Sequence, residues 1–207
     1  VVGSLVLDSS LEDHDRADVD GNGRDWIVAW QRNANGERDV LARHVSLPLG
    51  STTVVANGAA PVPIAAVANR IEILPSVTCI EYSCLIGYVS EVSAGLYQPH
   101  VQSRSLIGCE ACAGDAALPG SLTTSNTSSG PVAASAGDLG PHGADEALVA
   151  FDFLDPANGG NGQILAWEAI YADGLAFRGV GGCGASGTVM PTCAINQNAG
   201  FRLTLRD

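Results

Sequence analysis

Three segments of this chain share one pattern, and that repetition constrains the fold more than any other feature. They are Asp25-Trp26-Ile27-Val28-Ala29-Trp30, Ser83-Cys84-Leu85-Ile86-Gly87-Tyr88 and Glu146-Ala147-Leu148-Val149-Ala150-Phe151. Each sets a polar residue first, then an aliphatic run containing a small residue, then an aromatic. The second begins 58 residues after the first, and the third 63 residues after the second. A turn and a second strand-like run follow each. Asn33-Ala34-Asn35-Gly36 leads to Asp39–Val45, Ser93-Ala94-Gly95 leads to Leu96–Arg104, and Asn158–Gly162 leads to Gln163–Trp167. Asn-Gly and Gly-rich turns supply the positive φ that tight hairpins require. A first strand that is almost wholly apolar is expected to be buried on both faces.

A third element recurs in texture. Gly50-Ser51-Thr52-Thr53-Val54-Val55 follows the first hairpin, and Gly3-Ser4-Leu5-Val6-Leu7 resembles it. The opening run therefore reads as the last strand of a unit whose hairpin lies upstream, so the chain is expected to begin in mid-repeat. No stretch of eleven or more residues keeps a helical period. The expected class is all-β, with antiparallel repeat units in a partial β-propeller or a β-sandwich, stapled by disulfides. The units divide the chain into 1–110 (the first repeats), 111–142 (a Gly/Ser/Thr-rich loop or linker), 143–180 (the third repeat) and 181–207 (a C-terminal disulfide loop and strand).

Charge removes several function classes. The net charge is −12, and all ten basic residues are Arg. Such a chain has no general electrostatic attraction for nucleic acid or an anionic membrane. Without Lys there is no Schiff-base chemistry and no P-loop. No apolar run approaches the roughly 18 residues of a membrane helix, so no membrane insertion is expected.

The six cysteines fall into sequence-local pairs: Cys79–Cys84, Cys109–Cys112 and Cys183–Cys193. Six cysteines allow 15 connectivities, of which this is the simplest. An even count in Gly-rich surroundings points to an oxidising compartment and a secreted or cell-surface protein. The alternatives are a zinc site drawn from the first two pairs, or a redox Cys-x-x-Cys, which lacks the βαβ context that such motifs use.

The stretch Asp18-Val19-Asp20-Gly21-Asn22-Gly23-Arg24-Asp25-Trp26-Ile27-Val28-Ala29-Trp30, with Asp39-Val40-Leu41-Ala42-Arg43-His44-Val45 after it, resembles secreted bacterial repeat proteins of β-propeller type. The match covers about residues 14–55, with looser echoes at 74–107 and 143–172. The resemblance implies blade architecture and no particular activity, since propellers host binding, enzymatic and structural roles. Blades usually run to about 40–50 residues, shorter than these units. Three units do not close a ring of the usual four to eight blades. Either further units lie outside this chain, or the units stack in an array or sandwich.

Asp18, Asp20, Asn22 and Asp25 form the sharpest candidate site. Alternating oxygen side chains around glycines can wrap a hard cation such as Ca²⁺. The segment is similar to the calcium loops of integrin-type propeller repeats, with Asp25 one position short of that pattern. The other reading is a metal-free turn, which these residues favour by themselves. No other cofactor is expected. His14, His44, His100 and His142 share no metal-ligand spacing and read as structural; His44 and His100 fall at similar places on second strands. No Ser stands in a Gly-x-Ser-x-Gly context. Glu12/Asp13 and Asp145/Glu146 are paired acids of the kind glycosidases use, or solvated loop charges. Trp26, Trp30, Trp167, Tyr88 and Phe151 read as core rather than as a sugar-stacking platform. Asn126-Thr127-Ser128 is the one glycosylation sequon.

Three functions follow as expectations. The first is a non-enzymatic extracellular scaffold, adhesion module or fibre-forming subunit that assembles with itself or other chains. The second is a carbohydrate-binding or carbohydrate-active propeller protein with glycan partners. The third is an accessory fragment of a larger secreted enzyme.

Overall fold

The aliphatic-aromatic segments are strands, and each is the second strand of a four-strand meander. A computed structural model of the chain describes residues 4–80 and 83–106, together with strands at 115–117, 132–137, 146–154, 162–170 and 176–179. The first sheet holds β1 (Asp13–Gly21), β2 (Asp25–Ala34), β3 (Glu37–Ser46), β4 (Val55–Ala56) and β5 (Val62–Ala65). The second holds β6 (Glu72–Ile80), β7 (Ser83–Ser93), β8 (Leu96–Ser105) and β9 (Asp115–Ala117). The third holds β10 (Val132–Gly137), β11 (Glu146–Leu154), β12 (Gly162–Ile170) and β13 (Ala176–Gly179). Every named pairing is antiparallel and joins neighbours in sequence, except that β5 also pairs β3. The sheets stay open. Among the described residues there is no helix, and so none long and apolar enough to cross a membrane.

The repeat is thus four strands rather than a strand pair. One added strand comes before the pair and one after it; β1, β6 and β10, the first of each unit, run beside the aliphatic strand. The turn between β2 and β3 is Asn35-Gly36, with φ of 52° and 87° at its two residues. Both left-handed positions belong to the type I′ turn, which matches the twist of the strands it joins.

Two expectations are corrected. Residues 4–7 are not a strand, and the first meander opens at Asp13. Leu5 and Val6 are exposed, and the carbonyl of Leu7 accepts from the Arg43 guanidinium instead of a strand neighbour. The run 50–55 contributes only its last residue to β4, because Gly50 at φ 76° and the Ser51 N–H to Pro48 carbonyl bond (2.9 Å) make it a turn. The segment 111–142 contributes β9 and β10 to two of the sheets.

The first two sheets share a core. Counting Asp25, Ser83 and Glu146 as position one, the odd positions Ile27 and Ala29 of β2 join Val40 and Ala42 of β3 in one buried cluster. The even positions Cys84, Ile86 and Tyr88 of β7 enter the same cluster with Val77 of β6. Alternation along a strand sends neighbours to opposite faces. The odd face of the first sheet therefore packs on the even face of the second. Ile73 and Val89, paired across β6 and β7, belong to a separate cluster with Leu74 and Tyr97. β6 also lies against β10 of the third sheet, where Val149, an even position, is fully buried.

One irregularity is copied between units. β1 slips register between Asp15 and Asp18, and β6 slips between Ile73 and Ser76. Each slip carries a left-handed, non-glycine residue: Arg16 at φ 50° and Leu74 at φ 61°. These two residues are 58 apart, the same spacing as Asp25 to Ser83. A left-handed L-residue costs roughly 1–2 kcal/mol, so its recurrence at one register position marks a structural device.

Candidate functional site

The candidate cation ligands bind backbone N–H groups. Asn22 N–H bonds the Asp25 carbonyl (3.0 Å), so pairs 20:27 and 18:29 are hydrogen-bonded, while 19:28 and 21:26 are not. The N–H groups of Val19 and Gly21 consequently point out from the free edge of β1. Asp18 Oδ1 accepts the Val19 N–H (2.9 Å), and Asp20 Oδ1 accepts the Gly21 N–H (2.8 Å). The other carboxylate oxygens reach the facing edge of β6. Asp18 Oδ2 accepts the Val77 N–H (2.7 Å), and Asp20 Oδ2 accepts the Cys79 N–H (2.8 Å). All four oxygens are engaged, and two sheet edges that lack a shared ladder are joined by two carboxylates. Bonds from N–H to an ionised acceptor are about twice as strong as neutral ones.

Asn22 and Asp25 turn away from this clasp. Asn22 Oδ1 accepts the N–H groups of Arg24 (3.1 Å) and Asp25 (2.9 Å), which closes the loop on itself. Gly21 is demanded by close approach, since a Cβ there would stand 2.2 Å from the Asp25 carbonyl oxygen. Asp25 Oδ1 pairs His44 Nε2 at 3.1 Å. Among the described residues, no three His, Cys, Asp or Glu side chains converge as a metal site.

His44 is held on both nitrogens. Asn57 Nδ2 lies 3.0 Å from His44 Nδ1, and Ser46 Oγ donates to Asn57 Oδ1 (3.2 Å). This chain ties the start of β2 to the end of β3 and the turn after β4. It leaves no ring nitrogen open toward a nucleophile. His100 sits elsewhere in register: it pairs Tyr88 at position six and stacks on that ring at 5.2 Å, whereas His44 pairs Ile27 at position three.

A cluster not foreseen from sequence lies at the β1 bulge. Asp8, Ser10 and His14 meet there beside a cleft of about 360 Å³, whose walls include Arg16, Val28 and Trp30. Residue types suggest a Ser-His-Asp triad, but the geometry does not form one. Ser10 Oγ (3.3 Å) and Asp8 Oδ2 (3.2 Å) both approach His14 Nε2. A triad needs the carboxylate on one nitrogen and the nucleophile on the other. The Ser10 N–H holds the Asp8 carboxyl below its ordinary value, with smaller help from the Ser10 hydroxyl and His14. Glu12, one of the paired acids, bridges Arg32 at 3.3 Å, and Asp13 opens β1.

Buried charge gathers between the first two sheets. Arg32 of β2 pairs Asp39 of β3, and that bond raises the guanidinium above its ordinary value. Glu72 of β6 is fully buried. Burial raises its carboxyl, although the Val67 N–H (3.2 Å) and Ser90 hydroxyl (3.5 Å) both donate to it. Sequence reading missed Glu72 because it is one acid among 22 and stands in no motif.

Cys79 and Cys84 form a disulfide across the β6–β7 hairpin. They are a register pair, and the outward Cys79 N–H marks that pair as non-hydrogen-bonded, which brings side chains closest. Cys109, Cys112, Cys183, Cys193, Asn126, Asp145 and His142 lie outside the described residues. No protein-family model, no curated protein and no solved structure matches this chain.

Proposed function

We propose that this chain is an extracellular, non-enzymatic repeat scaffold, built of blade-type units and working by assembly with itself or other chains. The observation that carries the reading is the carboxylate clasp of Asp18 and Asp20 on the facing edge of β6. It joins one unit to the next through residues that the sequence offers as a cation loop or a metal-free turn. The copied bulge, the open sheets and the Cys79–Cys84 bond support the same reading. Open edges favour further pairing, and disulfides persist in oxidising compartments. His44 is engaged on both ring nitrogens, and Ser10 and Asp8 share one nitrogen of His14.

Size-exclusion chromatography with light scattering, across a hundredfold range of concentration, tests the assembly. Mass that rises with concentration is the expected outcome. A sharp monomer at every concentration overturns the reading.

A second reading has one observation in its favour. The cleft beside Trp30 brings an aromatic wall, His14, Asp8 and Asp15 together, as a carbohydrate-binding or carbohydrate-active protein would. A glycan array and a hydrolase screen decide it, and binding lost in Trp30→Ala would place glycans there.

A further inference from the structure

One set of register positions is core in the second unit and open in the first. Val77, Cys84 and Ile86 are 6%, 0% and 0% exposed, all within the cluster shared with the first sheet. Their counterparts, 58 residues earlier, are Val19, Trp26 and Val28. Val19 is 55% exposed, and Trp26 and Val28 are half-buried. Val19 pairs Val28 and Val77 pairs Ile86, so the two sets occupy the same face of the same meander. The other end of that face is already covered, since Trp30 is 5% exposed where His14 and the residues before it cross.

We propose that the Val19–Trp26–Val28 face of the first sheet docks the third sheet of a second copy of this chain, head to tail. The interface already built within the chain names the occupant. There, an even face is covered by the odd face of the meander one unit earlier. The third sheet follows the same strand order, so a second copy offers the same kind of face. The edges agree as well. The second unit's Val77 and Cys79 N–H groups take carboxylates from the first unit, whereas the first unit's Val19 and Gly21 N–H groups are satisfied by their own Asp18 and Asp20. The third unit has Val132 and Ala134 at the register positions of Asp18 and Asp20. It brings no carboxylate, and the edge it would meet needs none. Such a contact is heterologous, so copies add head to tail and form a ring where the rotation closes or an open array where it does not. Lacking a clasp, it is weaker and more reversible than the joint between the first two units.

This inference rests on the scaffold reading, and the experiment separates the two. Sedimentation velocity is run on the full, oxidised chain and on Val19→Glu, Val28→Glu and Val67→Glu. Val67 is exposed in the loop between β5 and β6, outside the strands that carry the face. Wild type and Val67→Glu are expected to associate alike. Val19→Glu and Val28→Glu should weaken association by about tenfold or more, as a charge in a desolvated contact does. Thermal unfolding by circular dichroism checks each variant, and exposed Val19 carries the test if Val28→Glu does not fold. Association that both glutamates leave unchanged overturns the docking face and leaves the scaffold reading standing. A wild type that stays monomeric overturns both.

Discussion

Asp20 does at the residue scale what a strand would otherwise do. Its two oxygens satisfy one N–H from each of two sheet edges, so its loss leaves both donors unpaired. Asp20→Ala should lower unfolding free energy by about 2–3 kcal/mol, read by urea denaturation. Asp20→Asn, which keeps one acceptor oxygen, should cost about half as much. Arg16 makes the opposite prediction. It is exposed and left-handed at φ 50°, so Arg16→Gly should stabilise the fold by about 0.5–1 kcal/mol. Leu74 holds the same conformation but is buried, so Leu74→Gly should destabilise through lost apolar contact. Glu72 adds a pH dependence. Burial raises its carboxyl above the ordinary 4.5, so the folded chain holds that proton more tightly than the unfolded chain does. Its contribution is therefore most favourable below pH 4.5 and declines as pH rises through the raised value. Glu72→Gln removes that decline, so its stability relative to wild type should improve from acid to neutral pH in melts across the range.

At the scale of elements, the strands that carry a pattern were legible and those that do not were hidden. β2, β7 and β11 begin at Asp25, Ser83 and Glu146, where the aliphatic-aromatic repeat begins. Their partners β3, β8 and β12 were legible through the turns between them. The first strands were not. β1 reads Asp-His-Asp-Arg-Ala-Asp-Val-Asp-Gly, which has the composition of a loop. It is a strand because its carboxylates are used by another sheet, and that reason lies 59 residues away in sequence. β10 is a run of small residues inside a Gly/Ser/Thr-rich stretch, with no β-branched periodicity after Val132 to announce it. The residues 4–7 failed in the other direction: an apolar run without a partner strand is not a strand. The oxygen-rich loop stood out by the spacing of its Asp and Asn residues, but spacing alone does not reveal which donors those oxygens face. The Cys79–Cys84 pairing was legible from its local spacing, although the β6–β7 hairpin that it closes was not. Its disulfide closes a very short loop, which the chain-entropy estimate values at about 2 kcal/mol. The double variant Cys79→Ala/Cys84→Ala should lose about that much in a denaturant titration.

Across the whole molecule, the first two sheets are held by one shared core and one carboxylate clasp. The first sheet turns its odd face to the second sheet, which meets it with the even face of the same strand order. A variant that loosens the inner joint, such as Asp20→Ala, should therefore loosen the first two sheets together rather than fray one strand. Hydrogen exchange should show Val77 and Cys79 amides losing protection alongside Val19 and Gly21. The copied bulge has a consequence for how such chains lengthen. Residues 13–70 carry the carboxylates that reach forward and one face of each kind. A tandem duplication of that stretch would insert a unit that meets the second sheet as the first does now. In genetic terms the first unit is a cassette.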